Sequence, residues 1–282
     1  MKSPIRITII ALALFTIQGC GLQFWYNRIA WLSTWYADDY VTLSSAQEER
    51  IETLVEKHAY WHRTTQLPRY NQFIEDVTVD LRNRTVADNY DSYGDRLLNF
   101  YYTILDKVLD DTVIELAQLT DEQVDELMQN INASADKQSE EYLERTAEER
   151  LEDSVEGAID SYDEWFDDLT DKQEALITEM AQRIQPTGEL RFKYLKQWRE
   201  AFSLALKERQ SESGQQALRS LLRNPRQLQS PELIQTSDAN DLVRKEFQLQ
   251  LFDTLSDEQI EHFIDFLNDY RGDFRELIQD AD

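Results

Sequence analysis

The sequence predicts an all-α protein built as an array of antiparallel helical hairpins, and three observations lead there. Only 7 Gly and 5 Pro interrupt 282 residues, fewer turn-formers than a many-stranded β fold needs. Apolar residues recur at the 3.6-residue period of a helix through most of the chain. One short helix-start pattern occurs four times, each copy lying between two such stripes. With 41% hydrophobic and 11% aromatic residues, the stripes can bury enough surface to order a chain of which 30% is charged.

The chain opens with a basic stretch, Met1 to Arg6, and an apolar or neutral run of eleven residues, Ile7 to Ile17. Eleven residues are too few to cross a bilayer, which takes ~20, so residues 1–19 read as a signal peptide. The run ends in Ile17-Gln18-Gly19-Cys20. This resembles the bacterial lipobox, with a branched aliphatic residue three before the cysteine and a small residue just before it. Cys20 is the only cysteine, so no disulfide can form within the chain. The resemblance implies cleavage before Cys20 and lipid attachment there, a thioether diacylglycerol and an N-acyl chain. Two or more acyl chains make such an anchor effectively permanent. Gly21 is not the Asp that retains enteric lipoproteins in the inner membrane, so the expected location is the outer membrane, facing the periplasm. Residues 20–282 would form the lipid-anchored helical domain.

Net charge is −26, and loss of Lys2 and Arg6 with the signal peptide makes it more negative still. Such a field repels phosphate backbones, which excludes nucleic acid as a partner.

An aromatic-rich stretch follows Cys20, with Trp25, Trp31 and Trp35. Tyr26, Ile29, Leu32 and Tyr36 keep a helical period, which predicts a first helix docked into the core. Val124, Leu127, Met128 and Ile131 form one later stripe. Leu143, Ala147, Leu151, Val155, Ala158, Tyr162, Phe166 and Leu169 form another, and the two are in phase to run as one helix over residues 120–168, ~70 Å long. Leu176, Ile177, Met180 and Ile184 come next. Pro186-Thr187-Gly188 then breaks the chain, a candidate sub-boundary at 186–188. Leu195, Trp198, Phe202 and Leu206 make a further stripe. A loop at Asn224-Pro225 and Ser230-Pro231 precedes Val243, Phe247 and Leu251 and then the last stripe, Ile260 to Leu277.

Charge is uneven along these elements. Residues 106–174 hold 24 acidic and 5 basic side chains, whereas 183–226 hold 10 basic and 4 acidic. The basic segment has an apolar stripe of its own to bury, which predicts that it docks on the acidic helices.

The repeated pattern is Leu43-Ser44-Ser45-Ala46-Gln47, Leu119-Thr120-Asp121-Glu122-Gln123, Leu169-Thr170-Asp171-Lys172-Gln173 and Leu255-Ser256-Asp257-Glu258-Gln259. Its physical content is a capping box, which makes Ser44, Thr120, Thr170 and Ser256 helix N-caps. The preceding Leu can staple against Val124 or Ile260 in two copies, whereas Glu48 and Glu174 occupy that position in the others. The Leu-Thr-x-x-Gln pattern resembles the signature of small periplasmic helical chaperones of envelope stress. A second resemblance covers more of the chain: Tyr26-Asn27-Arg28, Asp38-Asp39-Tyr40, Trp61-His62-Arg63 and Leu67-Pro68-Arg69-Tyr70, downstream of a lipobox, are similar to an uncharacterised family of proteobacterial lipoproteins. That family carries no known activity to transfer.

Chemistry-bearing residues are sparse. His58 and His62, four apart on a helix, have the spacing of a metal-binding pair, but the general-base Glu of the zincin pattern is absent between them. His262 has no local partner. The acidic clusters Asp110-Asp111 and Asp163, Glu164, Asp167, Asp168 lack the spacing of a calcium loop. There is no Gly-rich phosphate loop or nucleophile elbow, and no cofactor motif. The expected function is therefore non-enzymatic: an anchored helical protein that binds an envelope protein partner or an unfolded client. The alternatives are a metal-dependent hydrolase using His58 and His62, or a structural spacer in the envelope.

Overall fold

The computed structural model describes residues 20–280, which lie in helices and short connections without a strand among the described residues. The expected signal peptide and the side chain of Cys20 lie outside them. The elements are α1 (Cys20–Tyr26), α2 (Ile29–Ala37), α3 (Ser45–Trp61), a π turn (His62–Gln66), α4 (Leu67–Asn83), α5 (Val86–Ala117), α6 (Asp121–Glu144) and α7 (Ala147–Phe166). They continue with α8 (Asp171–Arg183), α9 (Gly188–Lys207), α10 (Glu212–Arg223), a 3-10 turn (Pro225–Leu228), α11 (Pro231–Thr254) and α12 (Asp257–Gln279).

Helices α3 and α4 form one rod interrupted by the π turn, where the Leu67 N–H reaches back to the His62 carbonyl. Pro68 explains the irregularity. It has no N–H to give the preceding turn, and its ring would press on that turn's carbonyl; the wider π turn relieves both.

Two of the four capped turns close hairpins, α2–α3 and α7–α8, whose helices pack along each other. At the Thr120 and Ser256 turns the flanking helices instead open outward and other helices fill the wedge. The α9–α10 hairpin packs between α5 and α6, and the α7–α8 hairpin between α11 and α12. Two main cores result. One gathers Val113, Leu119, Val124, Met128, Phe202, Leu206 and Leu218. The other gathers Leu81, Phe166, Ile177, Phe247, Leu251, Ile260 and Ile264. The α4 helix crosses to lie along α12, and smaller clusters join Leu22 to Ile74 and Tyr270, and Tyr26 to Leu67 and Leu277. Each half of the chain thus lends helices to the other: α4 to the second, α9 and α10 to the first.

The single helix over 120–168 is corrected to two. Arg145 is extended (φ −86°, ψ 139°), and Thr146 starts α7 with a capping box. Its hydroxyl accepts the Glu149 amide at 3.2 Å, and Glu149 accepts the Thr146 amide at 2.7 Å. Leu143, Ala147 and Leu151 keep a four-residue spacing across the joint, which disguises the break. Gly188 has its own reason to be glycine: the Tyr142 ring lies against its α-carbon, leaving no room for a side chain.

The docked first helix is also revised. Tyr26 is buried, but Ile29 and Tyr36 are 38% and 45% exposed. The chain turns at Asn27-Arg28 between α1 and α2, so the helical phase that linked these positions is lost.

Candidate functional site

The four capped turns meet in two pairs. Gln47 Nε2 donates to Gln123 Oε1 at 3.0 Å, and Gln123 Nε2 donates back to Gln47 Oε1 at 2.8 Å. Gln173 and Gln259 make the same exchange at 2.9 and 3.1 Å. Each glutamine oxygen also accepts its own cap amide, from Ser44, Thr120, Thr170 and Ser256 at 2.9, 3.0, 2.8 and 3.1 Å. The hydroxyls of Thr120, Thr170 and Ser256 accept the amide three residues on, at 3.2, 3.4 and 3.1 Å. The Ser44 and Thr170 hydroxyls also lie as donors to Gln47 Oε1 and Gln173 Oε1, at 2.9 and 3.0 Å. A primary amide carries both a donor and an acceptor, which is why glutamine suits this place: a carboxylate could close the capping box but could not donate across the pair.

An arginine from the opposite half clasps each splayed turn. Arg209 donates to the Leu119 carbonyl at 2.9 and 2.7 Å and to Asp121 at 2.7 Å. Arg84 donates to the Leu255 carbonyl at 3.0 Å and to Asp257 at 2.7 Å. In both cases a cation meets the carbonyl end of one helix and a carboxylate that opens the next. Nothing in the local sequence of either arginine announces this.

The π turn aims His62 into an aromatic nest. Its Nδ1 lies 2.7 Å from the Tyr26 hydroxyl and its Nε2 3.3 Å from the Tyr70 hydroxyl. The rings of Tyr26 and His62 stack at 5.8 Å, and the Arg63 guanidinium lies over Tyr26 at 4.8 Å. Burial pushes His62 down to about 4, and pushes Tyr26 and Tyr70 up to about 12. Residues from separate motifs, Tyr26-Asn27-Arg28, Trp61-His62-Arg63 and Leu67-Pro68-Arg69-Tyr70, thus converge on one structural joint.

His58 points elsewhere. Its Nε2 contacts Asp111 at 2.9 Å beside Lys57, also 2.9 Å from Asp111; these bonds, Lys57 first, hold Asp111 below the usual carboxylate range. The histidines spaced for a metal pair therefore serve different partners. No group of three His, Cys, Asp or Glu among the described residues could hold a metal ion. Of the other acidic residues, Asp110 bonds Arg219 at 2.7 Å, and Asp163 accepts the Leu169 amide at 3.1 Å. Asp167 and Asp168 have positive φ of 56° and 41°, a turn that offers both carbonyls to Gln259, at 3.4 Å each.

The basic segment docks on the acidic helices. Trp198, Phe202 and Leu206 enter the core under α5 and α6, while Arg219 and Arg223 reach Asp110 and Asp106 on α5. Between α6 and α9 remains an open cleft of about 670 Å³, lined by Met128, Asn132, Asp136, Lys196, Arg199 and Leu204.

Architecture and site together define an all-helical protein whose order rests on paired capped turns, crossed halves and an aromatic joint. The chain belongs to DUF6279, a family of unknown function, which it matches over residues 39–233. The match takes in the first three capped turns and the π turn, whereas α1 and the Ser256 turn lie outside it. No curated protein and no solved structure matches the chain.

Proposed function

We propose that this is a proteobacterial lipoprotein, anchored through Cys20 to the outer membrane and facing the periplasm, that works by binding another protein. The observation carrying the binding role is a row of bare apolar side chains in an otherwise acidic chain. Leu97, Leu98 and Tyr101 are 54, 53 and 38% exposed along the middle of α5, the stretch between the two cores. Leu204, 66% exposed, adds an apolar edge to the cleft between α6 and α9. Grouped exposed apolar residues mark interaction surfaces more often than single ones do.

The geometry supports this reading over the hydrolase. A catalytic metal needs several converging ligands, yet both nitrogens of His62 face tyrosine hydroxyls, and His58, held through Nε2 by Asp111, belongs to no group of three candidate ligands among the described residues. A rigid spacer loses its main support with the joint at Arg145. The test is a photo-crosslinking residue at Leu98 or Leu204 in intact cells, together with an aggregation assay using a denatured client. A discrete adduct from position 98 that is lost when Leu97 and Tyr101 become Ser is expected. Absence of any adduct together with no effect on client aggregation would overturn the proposal.

A further inference from the structure

Helices α1 and α2 carry an aromatic surface that the fold leaves uncovered. Phe24, Trp25, Trp31, Trp35 and Tyr36 are 39–56% exposed. Trp31 and Trp35 stack at 6.2 Å, Phe24 meets Trp25 edge-on at 5.3 Å, and the Arg28 guanidinium sits 3.6 Å over Phe24. The opposite faces of the same helices are fixed. Leu22, Tyr26 and Thr34 are buried, Gln23 donates to Asp273 at 3.2 Å and Glu276 at 2.5 Å, and Thr34 donates to Glu52 at 3.1 Å. The rings are therefore presented on a rigid base.

Charge sets this surface apart. Residues 20–37 contain one charged side chain, Arg28, in a chain that carries 55 carboxylates. Asp38 and Asp39 end the stretch. A strongly acidic protein avoids anionic lipid surfaces, and this is the stretch from which the repelling groups are missing.

We infer that this face is a bilayer footprint: the rings of Phe24, Trp25, Trp31 and Trp35 lie at headgroup level, with Arg28 among the lipid phosphates, and fix the protein's orientation on its membrane. The position of the patch selects lipid over a protein partner. The apolar run ends at Ile17, and α1 begins at Cys20. Whether that run stays in the bilayer or is exchanged for acyl chains on Cys20, hydrocarbon ends where α1 starts. Phe24 and Trp25 follow within about 8 Å at the helical rise. Tryptophan and tyrosine are favoured at that depth, where one part of the ring is in hydrocarbon and its N–H or O–H is wet. The inference rests on the anchored reading above, and its test separates the two.

The full chain is produced in cells fed labelled palmitate, purified in detergent and reconstituted into phosphatidylcholine vesicles with and without brominated acyl chains. Flotation and label report the anchor. Tryptophan quenching by bromine reports the footprint, against a Trp25→Phe, Trp31→Phe, Trp35→Phe variant that keeps the rings but leaves only Trp61, Trp165 and Trp198 as emitters. Quenching of the native chain that is lost in the variant is the expected result, and quenching without palmitate would uphold the footprint while removing the acyl anchor. A chain that floats and is labelled but is not quenched overturns the footprint and leaves the anchor standing. Disulfide-linked dimers of a Trp31→Cys variant, without quenching of the native chain, would assign the face to a second copy and overturn it too. A chain that neither floats nor is quenched overturns both.

Discussion

Single side chains do unequal work in the paired turns, and burial decides how much. Gln173 is fully buried, whereas Gln123, the same residue of the Thr120 capping box, is partly exposed. Gln173→Ala removes both bonds of the buried exchange with Gln259 together with the acceptor of the Thr170 amide, and should cost about 2–3 kcal/mol. Gln123→Ala leaves groups that water can reach and should cost nearer 1 kcal/mol. Equal shifts in urea unfolding of the two variants would refute the distinction. The cap hydroxyl and the glutamine were legible in sequence because a capping box is local. The exchange across each pair was not, since it joins residues 76 and 86 positions apart.

His62 gives a residue-scale pH dependence. Its pKa is about 4 in the fold against an ordinary 6.5, so the unfolded chain binds a proton that the folded chain excludes. The stabilisation is complete above pH 6.5 and falls away as pH drops from 6.5 through 4, by up to about 3 kcal/mol. His62→Gln should flatten that part of the stability profile relative to the native chain, while carboxylates elsewhere titrate alike in both. A profile with the same slope in the variant would show that His62 is not the group responsible. The spacing of His58 and His62 was readable, but their separate partners were not, because Tyr26 and Asp111 come from distant elements and Tyr70 lies beyond the irregular π turn.

At the scale of elements, the revealing places are where helices stop. The Arg145 joint was available in sequence, since Thr146 and Glu149 are themselves a capping box, but the apolar stripe ran through it unbroken. Periodicity reports which face is apolar, not whether the axis is continuous. The turn after α7 is costlier to make. Asp167 adopts φ 56° and ψ 136°, backbone space that suits glycine and strains other residues. Asp167→Gly should therefore stabilise the protein by about 1 kcal/mol, read as a higher denaturation midpoint. A lower midpoint would mean that the Asp167 side chain contributes more than the strain it imposes. Ile29 and Tyr36 show the opposite failure of periodicity: a two-residue turn at Asn27-Arg28 reset the phase and left these predicted core residues outside.

For the whole molecule, the crossed halves put weight on the two arginine clasps, though unequally. Arg209 is 3% exposed and answers the Leu119 carbonyl twice; the side chain of Arg84 is 45% exposed. Lysine cannot reproduce the two-nitrogen grip. Arg209→Lys should cost about 2–3 kcal/mol, and Arg84→Lys below about 1 kcal/mol, because water and salt already weaken the second clasp. Thermal unfolding of both variants decides it, and a larger loss from Arg84→Lys would reverse the ranking. Charge composition foresaw that residues 183–226 dock on the acidic helices. It did not foresee the reciprocal loan of α4, because α4 carries no comparable charge signature.

That crossing also sets a timetable. A chain emerges N-terminus first, at about 5–20 residues per second. Leu67 and Tyr26 finish their packing only against Leu277, so during synthesis they wait about 10–50 s for their last neighbour. Until residue 257 has been made α4 has no α12 to lie against, and until residue 188 has been made the first half has neither α9 nor α10. Losing the final helix would thus strand the chain's beginning as well as its end.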